Sequence, residues 1–201
     1  MNRIVLLVAF VTLACCVSWR RQKTFANSQN HVQAQSIEWE DLVTRARESL
    51  GAENASAAEA SIDRLAPMLT AMRTKALVCP EAAIPDDDIK LLQFMIAPGT
   101  VYTSHRHPLP EIYHVVQGEA NIYVADETIE ASPGTTVRVP PGAVHGLTVK
   151  SDTPLKIVWV QWRPAGYTGS MTEGYELLEF PDPNMIPDPM ESEDFFPITL
   201  P

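Results

Sequence analysis

His105, His107, Glu111, Tyr113 and His114 stand within ten residues of one another, and His145 follows 34 residues after Glu111. Residues two apart on a strand face the same side, so His105 and His107 can aim both imidazoles at one point. The same rule puts Glu111 and Tyr113 on one face and turns His114 away from it. His145 comes directly after the sharp corner of Pro140-Pro141-Gly142. Three imidazoles and one carboxylate form a borderline-to-hard donor set suited to one divalent ion of Zn, Fe, Mn, Co or Ni. A chance cluster on a polar loop is the alternative, but no packing requirement calls for this set. The reading is therefore a metal site made by His105, His107, Glu111 and His145.

Such ligands need a rigid frame. After Cys79-Pro80, short apolar and β-branched runs alternate with turn signals: 91–97, 111–117, 121–124, 135–139 and 155–162 are the predicted strands. Pro98-Gly99, Gln117-Gly118, Ser132-Pro133-Gly134 and Pro140-Pro141-Gly142 punctuate them. Runs of this length and spacing predict an all-β sandwich or barrel over 79–165. Without an internal repeat, one barrel is expected.

The region before it has a different periodicity. Trp39, Leu42, Val43, Ala46 and Leu50 recur at helical steps behind Ser36 as N-cap, and Gly51 ends the run. A second helix is predicted from Ala55 to Lys75 with Ile62, Leu65, Met68, Leu69 and Met72 on one face, and Pro67 as a kink. Residues 36–78 thus read as a helical extension and 29–35, with His31, as a disordered linker. Residues 166–201 hold six prolines beyond position 180. That tail is expected to wrap the barrel, with a disordered tail as the alternative.

Met1-Asn2-Arg3 followed by an apolar run from Ile4 to Val17 reads as a secretory signal over residues 1–28. Fourteen apolar residues are short of the about 20 that span a bilayer, although a short N-terminal anchor is the competing reading. The expected location is periplasmic or extracellular. Loss of this segment leaves Cys79 as the one cysteine, so no internal disulfide is implied. Asn54-Ala55-Ser56 is a glycosylation sequon that has meaning only in a eukaryotic secretory route. The 201-residue chain carries 15 bases and 25 acids, a formal charge of -10. Nucleic acid, which demands basic clusters, is excluded as a partner. A small molecule is expected instead, and a homodimer is one assembly open to the chain.

The motif spacing resembles a known family. Gly99, His105, His107, Glu111 and Gly118 stand at the intervals of the first cupin motif without a mismatch. Gly134, Pro140, Gly142 and His145 match the second, except that Val149 occupies the place of its final asparagine. Fifteen residues separate the motifs, the short spacing typical of microbial cupins. The resemblance, over about residues 88–165, implies a cupin jelly-roll barrel and a metal held by the four residues named above. It does not specify the reaction, since one fold hosts many chemistries.

Glu111-Ile112-Tyr113, with Tyr102 three residues before the first ligand, resembles the cupin-type lyases that cleave dimethylsulfoniopropionate. That resemblance implies Tyr113 as the base and Tyr102 as a second catalytic or pocket-lining tyrosine. The leader and the proline-rich tail depart from that family. The substrate it implies is a zwitterion with a carboxylate and a sulfonium. A metal would stabilise charge beside the carboxylate, and aromatic faces would attract the sulfonium by ~0.5–2 kcal/mol each. Trp159, Trp162 and Phe94, with Tyr102, are the candidates, although Trp159 and Trp162 differ in strand parity and at most one can face the pocket. An iron-dependent dioxygenase and a non-enzymatic small-molecule-binding cupin are the competing functions.

Overall fold

A computed structural model describes residues 31, 33–34, 37–44, 63–80, 82–171 and 174–178. The predicted leader, the sequon and the tail beyond residue 178 lie outside the described residues, as do residues 45–50 of the first predicted helix and 55–62 of the second. Eleven strands are described: β1 (Glu40–Asp41), β2 (Met72–Val78), β3 (Ile89–Ile96), β4 (Val101–Arg106), β5 (Glu111–Gln117), β6 (Ala120–Val124), β7 (Glu127–Ala131), β8 (Thr136–Val139), β9 (His145–Val149), β10 (Leu155–Trp162) and β11 (Glu176–Leu177). They form two antiparallel sheets, one in the order β1-β2-β3-β10-β5-β8 and the other β11-β4-β9-β6-β7. This is the expected all-β jelly roll. The core lies between the sheets, where Leu92, Val115, Val137 and Ile157 meet Ile122, Leu147 and Val149, all buried.

The helical extension differs from expectation at both ends. Residues 63–69 are helical, and the helix stops at the Thr70-Ala71 turn, where the Thr70 hydroxyl donates to Ala66 O at 2.8 Å. Met72–Val78 is then a strand, not the end of that helix. Its sequence carries helix-compatible Met, Lys, Ala and Leu, yet it pairs with β3 from Met72↔Ile96 onward. Pairing to a strand of the core overrides a weak local preference. The barrel therefore begins at residue 72 instead of 79. Near the first predicted helix, Glu40–Asp41 pairs with Arg73–Thr74. Asp41 then caps a helical turn at 42–44, its Oδ1 accepting from Thr44 N at 2.8 Å, and Ser36, the expected N-cap, lies outside the described residues. Within the expected linker, Ala34 packs on the core and its carbonyl accepts from Lys75 Nζ at 3.1 Å.

The first part of the tail lies along the barrel. β11 pairs with β4, Glu176 forms an ion pair with Arg106 at 2.6 Å, and Leu178 N donates to Ser104 O at 2.9 Å. These bonds lay the chain along β4, where Tyr175 meets His105 and His107.

Candidate metal centre

Three strands deliver the four ligands. β4 carries His105 inward, exposes Arg106 and is followed by the buried His107, as the two-residue period demands. β9 begins with His145, whose Cα pairs with that of His105, so the two ring centroids are 3.9 Å apart. Glu111 opens β5 with its side chain buried between the sheets. Close approach of β4 and β9 depends on Gly146, where a Cβ would stand 2.7 Å from Tyr102 O. The Pro-Pro-Gly corner turns at Gly142 with φ +74°, and its N–H donates to His107 O at 2.8 Å. One ligand atom from each of the four residues lies within 4.8 Å of all the others.

Each imidazole is held in the same manner. His105 Nδ1 meets Thr103 O at 2.9 Å, His107 Nδ1 meets Leu109 O at 2.8 Å, and His145 Nδ1 meets Ala143 O at 2.9 Å. A carbonyl can only accept, so Nδ1 must carry the proton in all three and Nε2 of the neutral ring presents a lone pair. Those lone pairs face a carboxylate: His107 Nε2 is 3.0 Å from Glu111 Oε2, and His145 Nε2 is 2.9 Å from Oε1. His107 Nε2, His145 Nε2 and Glu111 Oε1 are buried without a hydrogen-bond partner.

Acceptors facing acceptors repel unless positive charge lies among them. Extra protons on adjacent buried imidazoles would supply it, at a cost. Burial, followed by the neighbouring His145, pushes His105 well below its usual range. A single divalent cation satisfies the same lone pairs without stacking imidazolium beside imidazolium. Burial pushes the Glu111 carboxyl up, but donated protons and positive charge at the His107 and His145 positions outweigh it and hold Glu111 well below the usual carboxylate range. It is an anion ready to ligate. The donor set, its burial and its orphaned atoms fit a divalent metal, as the sequence predicts.

The pocket above the ligands encloses about 550 Å³ of atom-free space, its open mouth included, and Phe94, Tyr102, Tyr113 and Trp159 all line it. Trp159 is buried, and its Nε1 donates to Glu111 Oε2 at 2.9 Å. Phe94 meets that indole edge-on, with centroids 5.9 Å apart. Trp162 does not belong to this set. It has the opposite parity on β10 and is half-buried beyond the pocket lining, which corrects its assignment as a substrate residue. His114 points outward, its Nδ1 2.9 Å from the Thr136 hydroxyl.

Tyr113 is buried, and its phenol donates to Glu111. Burial pushes that phenol well above its usual range, and the Glu111 charge and hydrogen bond add to the effect. The protein's own groups thus keep Tyr113 neutral, whereas a lowered value is what a base requires. Tyr102 is bonded hydroxyl to hydroxyl, at 3.0 Å, to Tyr175.

Sequence reasoning missed Tyr175 and Lys90. Tyr175, from the tail, stacks on His105 with centroids 4.9 Å apart and planes inclined by 4°. Its only sequence signal is a β-like Tyr-Glu-Leu stretch in a segment otherwise rich in proline. Lys90 lines the pocket from β3 and is 2 % exposed. Its parity with Leu92, Phe94 and Ile96 would have placed it inside, had the strand been drawn one residue longer.

Residues 92–161 match the family described as the cupin domain. No curated protein matches the chain. Among solved structures, the chain is similar to one described as DMSP lyases RdDddP and RnDddQII, with 22% identity, 70% of this chain and 71% of that chain covered, and a TM-score of 0.48. It is also similar to an RmlC-like cupin from Shewanella frigidimarina, at 14% identity over 69% of this chain and 95% of that one, TM-score 0.46. KdgF from Halomonas sp. is 23% identical over 47% of this chain and 82% of that one, TM-score 0.41.

Proposed function

From the match of residues 92–161 to the cupin domain, we propose that the chain is a metal-dependent carbon–sulfur lyase that cleaves dimethylsulfoniopropionate or a similar β-substituted carboxylate. The observation that carries this reading is the position of Tyr113. It is a buried phenol on the pocket wall, two residues after the ligand Glu111 and on the same face of β5. His105, His107, Glu111 and His145 would hold the ion. A divalent ion there would supply positive charge that stabilises a developing carboxylate dianion and favours the phenolate of Tyr113.

The rest falls to the chain's own residues. Tyr113 Oη takes the proton from the carbon beside the carboxylate, the carbon–sulfur bond breaks with its electron pair leaving on sulfur, and dimethyl sulfide and acrylate result. Phe94 and Trp159 line the pocket and offer aromatic faces to the sulfonium, which needs no hydrogen bond. Tyr102 and Tyr175, bonded to each other, line the pocket beside His105. Headspace detection of dimethyl sulfide from metal-loaded protein tests the reading; no release above a His145→Ala control would end it. Elimination uses no oxidant, so stoichiometric oxygen consumption would instead favour a dioxygenase.

A further inference from the structure

The inward face of the six-stranded sheet is ordered in cross-strand rows. Gln161 pairs with Lys90 on one side and Glu111 on the other, so the three lie side by side on β3, β10 and β5. The next row is Leu92, Trp159 and Tyr113, and the one beyond is Phe94, Ile157 and Val115. Successive inward rows are about 7 Å apart. The pocket is therefore polar at one end and apolar and aromatic at the other.

Lys90 is an unusual member of the polar row. Its side chain is buried, it lines the pocket, and the hydrogen bond described for its ammonium goes to Met171 O at 3.1 Å. An ammonium has three donors, and among the described residues no carboxylate forms an ion pair with this one. Gln161 is equally buried, and its Oε1 has no partner. A packed core does not leave a buried ammonium without an anionic partner at no cost, because buried charges are expensive unless paired. With neighbouring strands about 4.8 Å apart, Lys90 and the ligand Glu111 stand roughly 10 Å apart at their Cα atoms. Gln161 stands between them in the row, and both Lys90 and Glu111 line the pocket, so an anion bound there can reach the lysine.

We propose that Lys90 is the carboxylate anchor of this pocket: it selects substrates bearing a carboxylate and fixes them with that end in the polar row and the other end among Leu92, Phe94 and Trp159. This deepens the lyase reading and rests on it for the substrate class. A like charge at Lys90 repels a sulfonium, so only one orientation of the zwitterion places opposite charge at the lysine and the soft cation against aromatic faces. The same arrangement rejects an uncharged isostere, which would leave the ammonium unpaired.

The test compares propionate with propionamide, equal in size and different in charge, on the metal-loaded full chain by titration calorimetry. Wild type should bind propionate at least tenfold more tightly. Lys90→Gln removes the charge while keeping a donor for Met171 O, and it should bring the two ligands within about twofold at unchanged metal content. If Lys90→Gln does not fold, Lys90→Met carries the same expectation. A preference that survives charge removal overturns the proposal, because the lysine then only secures the tail; absence of any preference in wild type overturns it too. Loss of the preference in Lys90→Gln, alongside a wild type that releases no dimethyl sulfide, keeps the anchor and removes the lyase reading. Dimethyl sulfide release with an intact preference in Lys90→Gln does the reverse.

Discussion

The Trp159 indole N–H donates to Oε2 of Glu111 at 2.9 Å, and Oε2 is also the oxygen that lies 3.0 Å from His107 Nε2. One carboxylate oxygen is thus oriented by an indole two strand positions from the row in which Glu111 sits. Trp159 serves two ends, since its ring also lines the pocket against Phe94. Hydrogen bonds behind a ligand fix its direction, and their loss typically costs about 10–100-fold in metal affinity.

Replacing Trp159 with Phe should therefore weaken the metal by about tenfold while the barrel stays folded. A phenyl ring fills part of the indole's space, and the N–H is lost together with the pyrrole ring. Competition against a chromophoric chelator measures the effect. Unchanged affinity would mean that the indole serves the pocket alone.

Purified protein should carry about one divalent ion per chain. His105→Ala and His145→Ala should each abolish that content, because each removes one of four converging donors and leaves a void in the buried cluster. Free metal at about a hundred times its dissociation constant should raise stability by about 2.7 kcal/mol in wild type and by nothing in either variant. Elemental analysis with thermal unfolding gives both numbers. Full occupancy in the double variant would place the metal elsewhere.

The four ligands and Tyr113 could be read from the sequence because strand periodicity is local: His105 and His107, or Glu111 and Tyr113, need only their own strand to share a face. Strand β9 escaped notice since His-Gly-Leu-Thr-Val opens with a poor strand pair, and Gly146 is explained only by the carbonyl of Tyr102 on another strand. Met72–Val78 looked helical for the same reason, its strand identity being set by β1 and β3. Tyr175 is the extreme case. It reaches His105 through a two-residue strand that pairs 70 positions back, at Glu176↔Arg106. No window along the chain contains that contact.

Gly146→Ala tests this close approach. The added methyl would stand 2.7 Å from Tyr102 O, a backbone atom that cannot swing aside. Overpacking of this kind costs about 1–3 kcal/mol. Because β4 must move away from β9, the pairing of His105 with His145 loosens and metal affinity should fall with stability. A variant with wild-type melting and wild-type affinity would show that the two strands have slack.

Acid should destabilise the metal-free protein. Folding lowers the His105 pKa from an ordinary 6.5, through burial and then His145. The unfolded chain therefore binds more protons than the folded one below that value, and stability falls as pH drops beneath about 6.5. Glu111 is also held below its ordinary 4.5 when folded, so a second loss sets in below that pH as the carboxylate that His107 and His145 stabilise is protonated. Denaturant melts of chelator-treated protein between about pH 7 and pH 4 should show falling midpoints throughout. Midpoints that rise toward acid would mean that folding raises these pKa values.

Tyr113→Phe separates a base from a ligand. The substitution removes one hydroxyl from a ring that still fills its place between Trp159 and Val137 on the neighbouring strands. Metal content and fold should hold, and binding of the substrate should change little. Elimination should slow by roughly 10²–10⁴, the range for loss of a general acid–base group. His107→Ala should lose metal and turnover together. Tyr102→Phe is the control: it breaks the hydroxyl pair with Tyr175 but leaves Tyr113 in place, so an effect of about tenfold or less is expected, below that range. Near-full elimination by Tyr113→Phe would leave the reaction without its base. A large loss in Tyr102→Phe with none in Tyr113→Phe would transfer the role to the Tyr102–Tyr175 pair, at the side of the pocket where the tail closes over His105.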